Sequence, residues 1–387
     1  MPRILLLSDT FPPKTGGSGR WFWEIYSRLP REQVVVATGE DPRAADFDQS
    51  HDLRIIRMPL TMATRGLRPI GNCKHYISLA LRIRKLAKRE RIGAIHAARN
   101  LPEGFIAYLV RRMTGRPYLC YVHGEDVGVS GTSRELAWMT RRVLKGATLI
   151  IANSQNTRSM LLDDWRVPDD KVRLLYPGVD TKRFVPAPPD KSVRKTLDWH
   201  DRTVVLTVGR LQKRKGHDML IRALPAIRKQ HPKVLYAILG DGEEKANLQA
   251  LANSEGVTDQ VQFLGDASDD QLLQCYQQCD LFVLPNRAIG RDVEGFGMVL
   301  LEAQACGKPV VAGASGGTAE TMRIPDTGRI VPCETPDPLA AALIELLSNP
   351  ALLADMGRRG REWVCERFDW DALRREASQI FDSIAAM

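Results

Sequence analysis

Two doubly wound α/β domains facing each other across a cleft are what this sequence predicts, and three observations lead there. The chain's 387 residues exceed what one hydrophobic core usually serves. Short apolar runs of strand length alternate with amphipathic stretches of helical period, the pattern of parallel sheets covered on both faces. The Pro-rich segment 185–191 (VPAPPDK) can continue neither kind of element and falls between the two series. The expected domains are therefore 1–185 and 186–368. A last helix, about 369–387, has no strand after it and is expected to cross back onto the first domain. Ligands in such sheets bind outside the carboxyl ends of the strands, which places a site in the cleft.

Strands of the first domain are expected within 3–9 (RILLLSD), 33–38 (QVVVAT), 53–59 (LRIIRMP), 94–98 (AIHAA), 117–124 (PYLCYVHG), 148–154 (TLIIANS) and 172–178 (VRLLYPG). Those of the second are expected within 203–210 (TVVLTVGR), 235–242 (LYAILGDG), 261–266 (VQFLGD), 281–286 (LFVLPN), 309–313 (PVVAG) and 328–332 (GRIVP). Several of these runs end in Gly, Asp, Asn or Ser, residues that turn a chain and cap the helix that follows.

The net charge of +9 is unevenly spread. Residues 1–185 hold 31 Lys and Arg against 18 Asp and Glu, and the remainder 24 against 28. A basic first half facing a mildly acidic second half points to an anionic partner for the first: a membrane surface, a phosphorylated substrate or a nucleic acid. The seven cysteines are scattered and lack C-x-x-C spacing, as expected of reduced core residues in a cytoplasmic protein. The N-terminal apolar run is too short for a signal peptide, and no apolar stretch reaches membrane-spanning length.

Four stretches carry chemistry. In 207–227 a strand ends at Gly209, Arg210 and Lys215 follow, and Gly216 opens an amphipathic helix. A planar guanidinium, a mobile ammonium and a helix N-terminus together suit a diphosphate. Lys213 and Arg214 in the same loop leave a solvated basic loop open as the other reading. In 293–312 (VEGFGMVLLEAQACGKPVVA), Gly295 and Gly297 flank Phe296 ahead of a helix starting near Met298, whose amides would face an anion. Glu302, about one turn in, is placed to accept bonds from paired hydroxyls, and Glu294 to hold others or to balance positive charge. A helix-dipole role for Glu302 and a surface position for Glu294 stay open. In the first domain, Gly16, Gly17 and Gly19 follow the first strand without forming G-x-G-x-x-G, and bare amides there can approach a phosphate or sugar. His123 stands just past another strand, as a catalytic or a structural residue.

Taken together these motifs resemble the retaining glycosyltransferases of family four, which have the two-domain, Rossmann-like GT-B fold. The resemblance covers nearly the whole chain, through the Gly-rich loop, HGEDV, LIIANSQNTRSML, VRLLYPGVDTKRF, VGRLQKRKG, AILGDGEEKANLQ, EGFGMVLLEAQACGKPVVA and SGGTAET. Glu294 and Glu302, separated by seven residues, are its most specific mark. DVEGFG is similar, more loosely, to phosphatidylinositol-mannoside mannosyltransferases. The resemblance implies transfer of a sugar from a nucleotide-sugar donor with retention of configuration, onto a lipid-linked, glycan or small-molecule acceptor of the cell envelope. It implies that Arg210 and Lys215 bind the donor diphosphate, Glu302 the ribose and Glu294 the transferred sugar. Gly209 and the Phe296, Gly297, Met298 and Val299 amides would line the donor, Gly16 and Gly17 would border it, and His123 would lie near the reacting centre. No metal or other cofactor is implied, because cations and helix termini take the divalent ion's place.

The stretch 73–93 reads as a basic amphipathic helix suited to anionic lipid, which would make the protein peripheral on the inner face of the membrane. Met58, Leu60, Met62 and Leu67 before it are expected to be exposed, extending that surface over 58–93, and Trp21 and Trp23 to face the interface or the acceptor. The rival reading is a packed helix with a solvated face. Two other functions stay open: a nucleotide-sugar epimerase or phosphorylase on the same fold, and a non-catalytic nucleic-acid binder, for which no RNA-binding aromatic motif or helix-turn-helix signature appears.

Overall fold

The computed structural model describes residues 3–14, 16–62, 64–68 and 70–385. The chain forms two compact units, 1–177 together with 370–387, and 178–369.

The first domain is built on seven parallel strands, β1 (Ile4–Ser8), β2 (Val34–Thr38), β3 (Arg54–Arg57), β4 (Ala94–Ala97), β5 (Tyr118–Val122), β6 (Leu149–Ala152) and β7 (Val172–Leu174). Its helices are α1 (Gly17–Tyr26), α2 (Ala44–Gln49), α3 (Ile70–Arg89), α4 (Phe105–Thr114), α5 (Glu125–Ser130), α6 (Arg134–Gly146) and α7 (Gln155–Asp163). Sheet order is β3-β2-β1-β4-β5-β6-β7. The chain winds outward from β1 to β3, then returns to β4 on the other flank of β1. Strands such as β1, β2 and β5 are buried along their whole length, which is why their sequences read as unbroken apolar runs.

The second domain follows the same plan with six strands. Its elements are α8 (Lys191–Thr196), β8 (Thr203–Val208), α9 (His217–Gln230), β9 (Val234–Leu239), α10 (Lys245–Ser254), β10 (Val261–Gly265), α11 (Asp269–Gln278), β11 (Leu281–Leu284), α12 (Met298–Ala305), β12 (Val310–Gly313), β13 (Gly328–Val331), α13 (Pro336–Leu347) and α14 (Pro350–Arg367). Sheet order is β10-β9-β8-β11-β12-β13. Twelve of the thirteen apolar runs contain a whole strand, and β9 starts one residue ahead of the thirteenth.

The break between the units falls after Pro177, ahead of the Pro-rich stretch. Residues 178–184 group with the second unit because they are tied to its far end: the Val179 amide donates to the Phe368 carbonyl (2.9 Å), and Arg361 donates to the carbonyls of Thr181 and Phe184. The last helix, α15 (Trp370–Ala385), packs on α1 of the first unit, where Phe381 stacks on Tyr26 at 5.6 Å; Ala386 and Met387 lie outside the described residues. All seven cysteines are free, and five are buried; Cys73 is exposed and Cys365 half-buried, so these two are not core residues.

The expected apolar surface ahead of α3 is not there. Leu60 is fully buried, and Met58, Met62 and Leu67 pack against the core. Trp21 is likewise buried, its ring 5.2 Å from Tyr121, and Trp23 is enclosed by Phe11, Phe47 and His51. Met58, Leu60, Met62 and Leu67 join the first domain's hydrophobic core instead of facing solvent. Ala63 and Pro69 lie outside the described residues.

Candidate functional site

In the second domain the loops after β8 and β11 leave the sheet in opposite directions, because β8 leads to β9 on one side of the β8-β11 pair and β11 leads to β12 on the other. That divergence makes a crevice at the carboxyl ends of the strands. The β8 loop folds back into it. Gly209 has φ 149°, Lys213–Lys215 form one tight 3₁₀ turn, and Gly216 has φ 72° before α9 begins. A side chain at Gly216 would put its Cβ 1.7 Å from the Pro285 carbonyl oxygen, so the two loops meet backbone to backbone.

This turn points Arg214 and Lys215 inward, and both are buried. They converge on one oxygen of a buried carboxylate: Lys215 Nζ lies 2.6 Å and Arg214 Nη1 2.5 Å from Glu294 Oε2. Burial pushes the Glu294 carboxyl up, but the charges of Lys215 and Arg214 outweigh it and hold the group below the usual carboxylate range. Glu294 is thus an ionised, buried group, and the surface-loop reading of it falls. The solvated-loop reading falls for Arg214 and Lys215 too, whereas Lys213 is exposed. Arg210 stands apart: it is exposed and makes no ion pair among the described residues.

The main chain of Glu294 is gripped as well. Its carbonyl accepts the Gly317 amide (3.0 Å), and a Cβ at Gly316 would lie 1.8 Å from that oxygen. Phe296 is buried against Phe368, at 5.9 Å between ring centroids. Gly297, with φ 96°, then opens α12, and no side chain caps it. Met298 and Val299 are half-buried in its first turn. Glu302 accepts a 2.7 Å hydrogen bond from the buried Tyr276 hydroxyl, whose pKa is pushed well up by burial and then by the Glu302 charge. Glu302 is the fifth residue of eight in α12, past the turn where the helix dipole favours an acid, so the dipole reading loses its basis. An ammonium, a guanidinium, two oriented carboxylates and an uncapped helix N-terminus can hold a phosphate with polyhydroxyl groups beside it.

In the first domain, Gly16 (φ 153°) and Gly17 open α1, again with no side-chain cap. His123 packs edge-on against Trp21 (5.6 Å) and Phe22 (6.0 Å) of that helix. Its Nε2 lies 2.7 Å from the Ala98 carbonyl, which can only accept, so Nε2 carries the proton and Nδ1 the lone pair. Burial holds its pKa below the ordinary imidazole value, partly countered by the Asp126 charge. His123 is therefore a neutral, oriented acceptor at neutral pH. Beneath it, buried Glu103 accepts the Asp9 amide (2.8 Å) and faces Arg99 at 3.9 Å, which orients the start of the Gly-rich loop.

Sequence reasoning missed Arg214, Asp292, Tyr276, Arg99 and Glu103. The tight turn that aims Arg214 inward has no mark among consecutive basic residues, and the others become partners only through tertiary packing.

Family models match both halves: "Glycosyltransferase Family 4" over residues 15–183 and "Glycosyl transferases group 1" over 190–363. A GDP-mannose-dependent alpha-(1-6)-phosphatidylinositol monomannoside mannosyltransferase of Mycobacterium tuberculosis is 33% identical over 96% of each chain. A D-inositol 3-phosphate glycosyltransferase of Salinispora arenicola is 36% identical over 92% of this chain and 84% of its own. Among solved structures, the Anabaena protein Alr3699/HepE in complex with UDP-glucose superposes with a TM-score of 0.84 at 22% identity, over 98% of this chain and 99% of that one.

Proposed function

Since the chain belongs to the family-four glycosyltransferases, retaining enzymes of GT-B fold that use nucleotide-sugar donors, we propose that Lys215, Arg210 and the α12 amides receive the donor's diphosphate, Glu302 its ribose and Glu294 the transferred sugar. The observation that carries this reading is the convergence of two buried cations on the buried Glu294 at the strand-order reversal of the second sheet. As the glycosidic bond breaks, negative charge grows on the leaving diphosphate. Preorganised donors in a low-dielectric site stabilise that charge far more than water does. The leaving phosphate, on the same face as the incoming hydroxyl, takes the acceptor's proton, while Glu294 steadies the oxocarbenium-like sugar. Gly16, Gly17 and His123, the last through its Nδ1 lone pair, are the first domain's candidates for contact with substrate hydroxyls. No divalent metal enters the scheme.

For the substrates, GDP-mannose and an inositol-bearing lipid are the first candidates, from the mannosyltransferase relative at 33% identity. The test is incubation with GDP-mannose or UDP-glucose, each with phosphatidylinositol monomannoside. A mannosylated lipid is expected, and faster transfer from UDP-glucose would reverse the donor assignment. The epimerase, phosphorylase and nucleic-acid alternatives have no counterpart among the relatives named above, and donor incubated alone is expected to return no isomerised nucleotide sugar.

The acceptor side meets an anionic membrane from the inner face of the cell, in this reading, through α3. No single helix among the described residues is long and apolar enough to cross a membrane. The outward face of α3 instead carries Arg82, Arg84, Lys85 and Lys88 beside exposed Ile77 and Leu81, 51% and 47% exposed. Neither α3 nor the adjoining α4 contains an acid. A groove of about 440 Å³ lies between α3 and the end of α4, lined by Leu81, three of these cations and Arg116. Each cation near an anionic surface adds about 1 kcal/mol. Co-sedimentation with anionic but not zwitterionic liposomes is expected; equal pelleting with both removes this contact.

A further inference from the structure

We propose that Arg214 is the positioning residue of the donor site, keeping Glu294 paired so that Lys215 is released to a bound diphosphate. The inference rests on the donor reading above. Arg214 fastens the 287–294 loop at three points. Its carbonyl accepts the Arg287 amide at 2.9 Å, its Nε lies 3.4 Å from Asp292 Oδ1, and its Nη1 lies 2.5 Å from Glu294 Oε2. Arg287 ties the near end of the loop again, through two 2.8 Å hydrogen bonds to Asp218. Ile289 and Arg291, between these ties, are exposed, so the loop is held by its ends.

The consequence is electrostatic. Lys215 and Arg214 share a single negative oxygen, and their chemistry differs: Lys carries its charge on a flexible stem, while Arg offers a planar fork suited to fixed pairing. Were Lys215 the sole partner of Glu294, drawing it toward a phosphate would strand a buried carboxylate or force it to take up a proton. With Arg214 in place, the carboxylate stays paired and ionised while the ammonium moves. Glu294 is faced by these two cations from the turn after β8. On its own loop, Asp292 engages the other edge of Arg214, and the 316–317 segment offers only backbone.

The test is calorimetric titration of GDP and UDP into the full-length protein as wild type, Arg214→Gln, Arg214→Lys and Arg214→Gln/Glu294→Gln, in buffers of different ionisation enthalpy. Arg214→Gln is expected to bind the nucleotide more weakly by on the order of tenfold or more, with a proton uptake that wild type lacks. Arg214→Lys keeps a cation and takes up no proton. The double variant has no carboxylate to strand, so it regains affinity for the diphosphate while transferring no sugar, a rescue that a merely structural role for Arg214 would not produce. Wild-type affinity in Arg214→Gln, or a double variant as weak as the single one, overturns the inference. If Arg214→Gln does not fold, proton uptake by Arg214→Lys or weak binding by the double variant overturns it equally. A wild type that binds neither nucleotide brings down the donor reading itself, and this inference with it.

Discussion

Replacing Gly216 by alanine asks whether the contact between the β8 and β11 loops sets the geometry of the donor site. The new Cβ would stand 1.7 Å from the Pro285 carbonyl oxygen, and a real Cβ essentially never has a neighbour closer than 3.0 Å, so the loops must part by 1.3 Å. Lys215 rides on one loop, and Glu294 follows Pro285 on the other. A misplacement of about 1 Å commonly costs ~10²-fold in rate. The left-handed backbone, φ 72°, adds roughly 1–2 kcal/mol of strain for any residue with a Cβ. The expected result is a rate of sugar transfer lower by about 10²-fold and a melting temperature lower by several degrees. Gly256 supplies the control: it has φ 63° but nothing within 4 Å of a built Cβ, so Gly256→Ala carries the backbone strain without the clash. It should lose stability and keep its rate. If Gly216→Ala transfers sugar as wild type does, or if both variants lose rate alike, the loop contact does not govern the site.

Lys215→Ala should lower turnover by ~10²–10³-fold, the loss of a preorganised donor to the leaving group, and Arg210→Ala, an exposed cation, by less, while both proteins still fold; near-normal turnover in both would refute the diphosphate assignment. Tyr276→Phe removes the hydroxyl that holds Glu302 (2.7 Å) and should raise KM for the donor more than it lowers kcat, as initial rates over donor concentration would show. Stability should fall in acid. Burial depresses His96 to about 3 and His217 to about 4 from the ordinary 6.5, so the unfolded chain takes up protons first. The stabilisation is complete above pH 6.5 and is lost as pH falls from there toward these values, about 2 kcal/mol per group by pH 5. Thermal melts between pH 7 and 5 check this, and a His96→Gln variant should show a shallower slope. Activity should persist in excess EDTA, since protein cations are assigned the role of a divalent ion; complete loss on chelation would refute that assignment.

The central strands were legible because parallel strands covered on both faces are apolar along their length, unlike the edge strand β3 with its two arginines. Runs such as VVVAT in β2 and LFVL in β11 cannot be confused with half-exposed strands. The helix start at Met298 was legible from the Gly-Phe-Gly turn before it. What resisted was the direction of side chains in short irregular segments. Lys213, Arg214 and Lys215 are consecutive and alike in sequence, yet the turn exposes the first and buries the other two. Met58, Leu60, Met62 and Leu67 failed in the opposite sense: they have no periodicity to reveal a buried face, and their burial depends on packing against the core of the first domain. Partners distant in sequence, such as Tyr276 for Glu302 across 26 residues, become visible only once α11 and α12 are packed.

The buried charges distinguish the members of the site better than the motifs do. A lysine and an arginine with less than a tenth of their surface exposed must be paired to remain charged. The carboxylate that pairs them must sit where both can reach it, so the burial of Lys215 already requires an acid at the position of Glu294. Exposed Arg210 carries no such requirement. In the proposed site its contribution to a diphosphate would be screened by water and salt, whereas that of Lys215 would act at low dielectric. The two residues would therefore have unequal leverage on the leaving group. Arg214, buried beside Lys215 and paired with the same carboxylate, would owe its place to that carboxylate rather than to the ligand.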